Sequence, residues 1–193
     1  EQGRTLDDML IYRLAAERWL VVMNAANHAK IVAWMRDQLP AAGVTMDDAS
    51  QRMGLIAVQG PDSRELVGRL DAVADHRERM ESLEFYTHTV LEGPAGQWIL
   101  SRTGYTGEHG YELYLPNEDM LAAWEELLEK GQDLSVRPIG LAARDTLRFE
   151  ACYCLYGHEL NEDWTPLEAG IGWAVKLKKK GGFIGRDTLA AQK

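Results

Sequence analysis

Short apolar runs joined in pairs by turns constrain this chain more than any other feature, because they call for hairpins rather than parallel crossovers. Phe85 to Leu91 and Gln97 to Ser101 flank Glu92-Gly93-Pro94-Ala95-Gly96, a turn-rich connector, and so read as a β-hairpin. Tyr111 to Leu115 alternates as a third strand of the same group. Nearer the start, Met9 to Leu14 and Trp19 to Met23 pair across Ala15 to Arg18. If those strands run antiparallel, Asp8 lies opposite or beside Asn24 at the hairpin's open end.

Helical patterns lie between the strands. Ile31, Met35 and Leu39 recur every four residues with Val32 beside them, until Pro40 and Gly43 stop the helix. Asn117 is placed to cap a second helix in which Leu121, Trp124 and Leu128 face inward and which Gly131 ends. A third runs from Gly140 to Ala151, with Ala143, Leu147 and Ala151 as its packing stripe. Leu55 to Gln59 reads as a buried strand, Pro61 as the first position of a short helix carrying Leu66, Val67 and Leu70, and Asp71 to Ser82 as charged and irregular. Hairpins interleaved with helices predict an α+β fold with a mainly antiparallel sheet, not a parallel doubly wound one.

Composition excludes several functions. A net charge of −9 speaks against nucleic-acid binding, which depends on clustered Lys and Arg. The one basic run, Lys178-Lys179-Lys180, reads as a solvated loop or a docking patch. No apolar stretch approaches the ~20 residues that cross a bilayer. Cys152 and Cys154, the only cysteines, suit neither a disulfide framework nor a zinc site, which points to a reducing compartment. The five histidines form no metal-ligand spacing, so no metal is expected.

Three places carry candidate chemistry. Arg102 to Glu112 holds Gly104, Gly107 and Gly110 between two strands, either an elaborate turn or a loop that lets backbone approach a ligand. A strand rather than a helix follows, so it is not a phosphate cradle. Glu112 lies on the strand face opposite Tyr111 and Leu115. It is either solvent-facing or a carboxylate for the N–H groups of a planar amidine-like ring edge, as in pterins and guanines. Arg144 and Arg148, four apart on a helix, need an anion between them, from Asp145, Glu150 or a ligand. From the residues alone, Asp8 and Asn24 read first as a strand-entry residue and a helix cap, and only second as a functional pair.

Several motifs in order resemble the aminomethyltransferase family, the T-protein of the glycine cleavage system. Leu6-Asp7-Asp8-Met9-Leu10-Ile11-Tyr12 is similar to the family's D-D-hydrophobic strand and Asn24-Ala25-Ala26-Asn27 to its N-A-A-N turn. Ala57-Val58-Gln59-Gly60-Pro61 resembles its A-x-Q-G-P element, and Arg102-Thr103-Gly104-Tyr105-Thr106-Gly107-Glu108 its R-T-G-Y-T-G-E signature. Gly140-Leu141-Ala142-Ala143-Arg144-Asp145, Tyr156-Gly157-His158-Glu159-Leu160 and Thr165-Pro166-Leu167-Glu168-Ala169-Gly170 continue the match. It departs at His109, at Cys152-Tyr153-Cys154 and at Trp164.

The resemblance implies transfer of a one-carbon unit from the aminomethyl-lipoyl arm of H-protein to tetrahydrofolate, with ammonia and 5,10-methylenetetrahydrofolate as products. It implies Asp8 as the catalytic carboxylate and Asn24, Glu112 and Arg144 as folate contacts, with Tyr105, Tyr12, Leu10 and Val22 as walls around the ring. For the fold it implies part of an N-terminal folate-binding domain at 1–50, a ferredoxin-like domain at 51–150, and a return segment leading to a linker at 151–193. Family members have sequence before Asp7 and a β-rich domain after Lys193, so the resemblance implies a chain cut at both ends and weak or absent activity. A cytoplasmic location follows for a bacterial protein and the mitochondrial matrix for a eukaryotic one. The rival functions are other folate-dependent demethylases or oxidase-associated folate domains, and a non-catalytic folate-binding module.

Overall fold

The computed structural model describes residues 2–193. In chain order the elements are β1 (Leu10–Ala15), β2 (Arg18–Val22), α1 (His28–Gln38), β3 (Met53–Gln59), α2 (Ser63–Gly68), α3 (Asp71–Ala74), α4 (Arg77–Glu81), β4 (His88–Glu92), β5 (Gln97–Ser101), β6 (Gly110–Pro116), α5 (Asn117–Lys130), α6 (Leu141–Glu150) and α7 (Arg186–Gln192). They divide into two units, Glu1–Met46 with Cys154–Lys193, and Asp47–Tyr153. The fold is α+β, and its two named sheets are antiparallel, as the interleaved hairpins predict. No helix among the described residues is long and apolar enough to cross a membrane.

In the unit Asp47–Tyr153 four strands lie in the order β3-β6-β5-β4, and a loop without a helix joins β5 to β6. Period-two alternation sorts the side chains of β6. Tyr111, Leu113 and Leu115 face the helices, together with Ile56 and Val58 of β3 and Leu100 of β5. Glu112 and Tyr114 point to the other side, Glu112 opposite Ser101 of β5 and Ala57 of β3. Burying a large apolar side chain stabilises by about 1.5–3 kcal/mol. Tyr111, Leu100 and Leu115, all at 0% exposure, therefore make this helix-covered face the stable frame from which the other face presents polar groups.

The helices differ from expectation in instructive ways. α5 buries Ala123 and Leu127, with Met120 partly buried, whereas Leu121 and Trp124 point outward at 67% and 40% exposure. Two apolar stripes share this helix, and the one with the smaller residue wins because the helix lies close to β3: a Cβ on Gly54 would come 2.5 Å from the Met120 sulfur. Asn117 does not cap α5 with its side chain, which instead donates to the Gln51 carbonyl. The buried carboxylate at the helix start is Asp119, which accepts from Trp98 Nε1 (2.7 Å) and the Ala95 amide (3.1 Å).

Residues 71–82 are two short helices, not irregular chain, and sink Val73 and Met80 completely. One turn of helix is too short to register as periodicity. α2 starts at Ser63, leaving Pro61 in the turn before it. β3 is an edge strand buried on one face only, with Leu55 43% exposed. α6 is almost wholly exposed, Ala143 included; its buried residue is Arg148.

In the other unit, β1 and β2 pair with Leu10 opposite Val22 and Tyr12 opposite Leu20. Those four side chains therefore share one face, and Tyr12 is buried on it. α1 buries Ile31 and Val32. Lys30 donates to Tyr156 Oη and Glu162 Oε1, both at 2.8 Å, and so ties α1 to the segment that follows residue 154. Those hydrogen bonds, working against desolvation as the largest single influence, leave the Lys30 ammonium above its usual range. Thr165-Pro166-Leu167-Glu168 closes as a capping box: Glu168 Oε2 accepts from the Thr165 amide and hydroxyl, and the Glu168 amide donates back to Thr165 Oγ1. Those bonds hold the Glu168 carboxyl below the usual range.

Candidate functional site

Asp8 and Asn24 come together as the hairpin register predicts: Asn24 Nδ2 donates to Asp8 Oδ1 at 2.9 Å. Asn24 does not cap a helix with its side chain. Its amide is turned to the aspartates because Asp7, which the sequence reading left without a role, grips it at two points. Asp7 Oδ2 accepts from the Asn24 backbone amide (3.1 Å), and Asp7 Oδ1 accepts from Nδ2 of Asn24 (2.9 Å) and of Asn27 (2.7 Å). The signal was present in the pattern D-D with N-x-x-N, since a turn that places two asparagines three apart aims both side chains at one carboxylate. Asp7 is thus the clamp, and Asp8 is the exposed carboxylate beside it. Leu10, Tyr12 and Val22 line one face of the same hairpin, beginning two residues along each strand from Asp8 and Asn24.

Tyr105, Glu112 and Arg144 belong to the unit Asp47–Tyr153. The loop between β5 and β6 is shaped by Gln59, at the end of β3. Its Nε2 donates to the carbonyls of Thr103 (3.2 Å) and Tyr111 (3.0 Å), bridging the two ends of the loop. Gly104 and Gly110 leave the room it needs, since a Cβ on either would fall 1.9 Å or 2.1 Å from Gln59 Oε1. Gly107 has φ +76°, which favours glycine, and a Cβ there would come 2.9 Å from that of Ala151. Gly104 and Gly110 thus report a loop packed around one glutamine, and Gly107 its left-handed turn against Ala151.

His109 fastens the same loop to α2. Ser63 Oγ donates to the His109 carbonyl (3.1 Å) and lies 3.0 Å from Nδ1, while Arg64 Nη2 approaches Nε2 at 3.4 Å. With the single hydroxyl proton on the carbonyl, the consistent assignment is a neutral ring with its proton on Nδ1. Burial first, then the neighbouring Arg102 and Arg64 charges, hold His109 below the usual histidine range.

Glu112 is not simply solvent-facing. Its Oε2 accepts from Thr103 Oγ1 (2.5 Å) and Tyr114 Oη (3.2 Å), and Thr103 Oγ1 lies 2.9 Å from Ser101 Oγ. Arg144 and Tyr105 also meet: the guanidinium sits 4.5 Å from the Tyr105 ring centroid, and that ring stacks on Tyr153 at 5.7 Å. Asp145 pairs with the buried Arg148 (2.8 Å), leaving Arg144 with no carboxylate within salt-bridge distance among the described residues. Tyr153 reaches Tyr105 through a Schellman turn. The Tyr153 amide bonds the Arg148 carbonyl and the Cys152 amide the Phe149 carbonyl, with Cys152 at φ +59°.

The unit Asp47–Tyr153 offers a carboxylate with hydroxyl support and an aromatic platform bearing a guanidinium that has no carboxylate partner among the described residues; the other unit, taken by itself, offers a carboxylate held beside an amide. The sequence model of the GCVT N-terminal domain matches residues 1–179. The chain belongs to the GCVT N-terminal domain family. It is 43% identical to an aminomethyltransferase of Caldanaerobacter subterraneus over 99% of this chain and 50% of that protein. With an aminomethyltransferase of Bacillus licheniformis it shares 46% identity over 100% of this chain and 52% of the relative. Among solved structures it resembles the glycine cleavage system aminomethyltransferase T of Bartonella henselae, with a TM-score of 0.82 and 31% identity, covering 100% of this chain and 50% of that one. The chain therefore spans about half the length of these relatives. In this member of the GCVT N-terminal domain family, the R-T-G-Y-T-G-E and A-x-Q-G-P segments are one physical device, since Gln59 of the second locks the loop of the first.

Proposed function

We propose that the chain is part of a glycine cleavage aminomethyltransferase that moves a methylene group from the aminomethyl-lipoyl arm of H-protein to tetrahydrofolate. The observation that carries the reading is Glu112. In a family whose relatives are named aminomethyltransferases, its carboxylate stands opposite the buried face of β6, with Oε1 accepting no hydrogen bond among the described residues. A planar ring edge that bears N–H groups, as the pterin does, is the complement of such an acceptor. Arg144 on Tyr105 fits an anionic part of the folate, and Leu10, Tyr12 and Val22 supply apolar walls. Residues 1–50 and 151–193 would serve as parts of the folate-binding domain and 51–150 as the α+β domain, in a soluble enzyme.

The chemistry balances with these residues alone. Two folate nitrogens each form a bond to the methylene carbon, while the carbon–nitrogen and carbon–sulfur bonds of the aminomethyl-lipoyl group break. The two protons the folate nitrogens lose complete ammonia and the lipoyl thiol. Positive charge develops on the nitrogens as this proceeds, and an exposed carboxylate at Asp8, oriented by Asn24, stabilises it and organises proton movement.

The test is Glu112→Ala in the complete natural polypeptide containing residues 1–193, titrated calorimetrically with tetrahydrofolate. Loss of a charge-assisted contact to a non-reacting ring edge lowers affinity by about 1.5–3 kcal/mol, with a smaller effect on kcat. Unchanged affinity would remove Glu112 from the site.

A further inference from the structure

Two hydroxyls converge on one oxygen of Glu112, and the other accepts no hydrogen bond among the described residues. Thr103 Oγ1 (2.5 Å) and Tyr114 Oη (3.2 Å) both donate to Oε2. Because the Thr103 proton is committed to Glu112, the donor in the 2.9 Å contact between Ser101 and Thr103 is Ser101. Ser101 is 0% and Thr103 2% exposed, so this relay is set by the fold and does not compete with bulk water. Register explains why these residues meet: Ser101 pairs directly with Glu112 across β5 and β6, Tyr114 is two positions along the same strand face, and Thr103 is two positions beyond Ser101. The carbonyl of Thr103 is itself held by Gln59, so the hydroxyl's position is fixed from behind.

We propose that Thr103 and Tyr114 are positioning residues that pin Glu112 through Oε2, so that Oε1 carries the ligand-reading contact. The proposal rests on Glu112 as a ligand contact and adds how that carboxylate is aimed. A glutamate with three free torsions would otherwise spend entropy on each binding event, and fixing its rotamer beforehand removes that cost. One oxygen doubly engaged by the protein also sets the polarity of the site, because an oxygen left as an acceptor only selects a ligand edge that donates N–H and rejects one that presents a lone pair.

The experiment is a double-mutant cycle, with Kd for tetrahydrofolate measured in the complete natural polypeptide containing residues 1–193. Thr103→Val keeps the shape and removes the hydroxyl; it is expected to raise Kd about tenfold with kcat at saturation little changed. Thr103→Ser restores the donor and brings Kd back to within about twofold. Placed on Glu112→Ala, Thr103→Val changes Kd by less than about twofold, because the residue it positions is gone. Equal weakening in both backgrounds would make Thr103 merely structural and overturn the proposal, as would a Thr103→Val protein that binds as tightly as the parent while Glu112→Ala binds weakly. If Glu112→Ala itself leaves Kd unchanged, the underlying assignment of Glu112 fails instead.

Discussion

Gly104→Ala tests how the site loop is held. The new Cβ would stand 1.9 Å from Gln59 Oε1, 2.6 Å from Cδ and 2.8 Å from Nε2, so the glutamine side chain has to leave its position. It then gives up its bonds to the Thr103 and Tyr111 carbonyls, which at about 0.5–1.5 kcal/mol each amounts to about 1–3 kcal/mol. The ~0.4–1 kcal/mol that an alanine gains by stiffening the unfolded chain reduces this loss without cancelling it. Gln59→Ala removes the same two bonds without the clash, so the double variant should be only slightly less stable than either single one, with a coupling of about 1–2 kcal/mol. Urea unfolding followed by tryptophan fluorescence measures this, because Trp98 is buried in the same unit. A Gly104→Ala protein as stable as the parent, or single-variant losses that simply add, would refute the clamp.

Other consequences follow from the same geometry. Asp8→Asn preserves shape and the Asn24 neighbourhood but removes the charge, and should lower kcat by roughly 10²–10³ with tetrahydrofolate affinity held within a few-fold; equal losses in both would make Asp8 a ligand anchor. Cys152 occupies a left-handed position that costs an L-residue about 1–2 kcal/mol, so Cys152→Gly should stabilise by about 0.5–1 kcal/mol net of glycine's own entropy, whereas Cys152→Ala should not. Thermal unfolding of the two variants separates relief of strain from loss of the thiol. His109 is neutral in the fold with its pKa below the ordinary value, so its contribution is present above about pH 6.5 and lost as pH falls through the folded pKa. Stability measured between about pH 7 and 5 should fall less steeply in His109→Asn than in the parent.

The hairpins and α1 were legible because turn residues and apolar spacing mark them locally, and the β1–β2 register alone sets Asp8 beside Asn24; α6 was legible as a helix, but its apolar stripe is not what it buries. What escaped depended on closeness between elements far apart in sequence. The inner face of α5 is decided by Gly54 on β3, not by the larger apolar residues of the helix. The glycine spacing of the β5–β6 loop left a turn and a ligand loop undecided, because Gln59, the side chain it accommodates, lies 45 residues before Gly104. Arg144 and Arg148 look alike in sequence, and only the fold separates them: Arg148 is buried on Asp145, and Arg144 is stacked on Tyr105. Asp7 and Asp8 divide in the same way into a clamp and an exposed carboxylate.

The most direct measurement of the central claim supplies the complete natural polypeptide containing residues 1–193 with H-protein bearing the aminomethyl-lipoyl group and with tetrahydrofolate. Ammonia and 5,10-methylenetetrahydrofolate are followed together, with dimethylglycine and dimethylsulfoniopropionate as alternative donors. The account predicts that the two products appear in equal amounts, only with the H-protein donor, and that Asp8→Asn suppresses both. Methyl transfer from either alternative donor, or tetrahydrofolate binding with no turnover of aminomethyl-lipoyl H-protein, would contradict it.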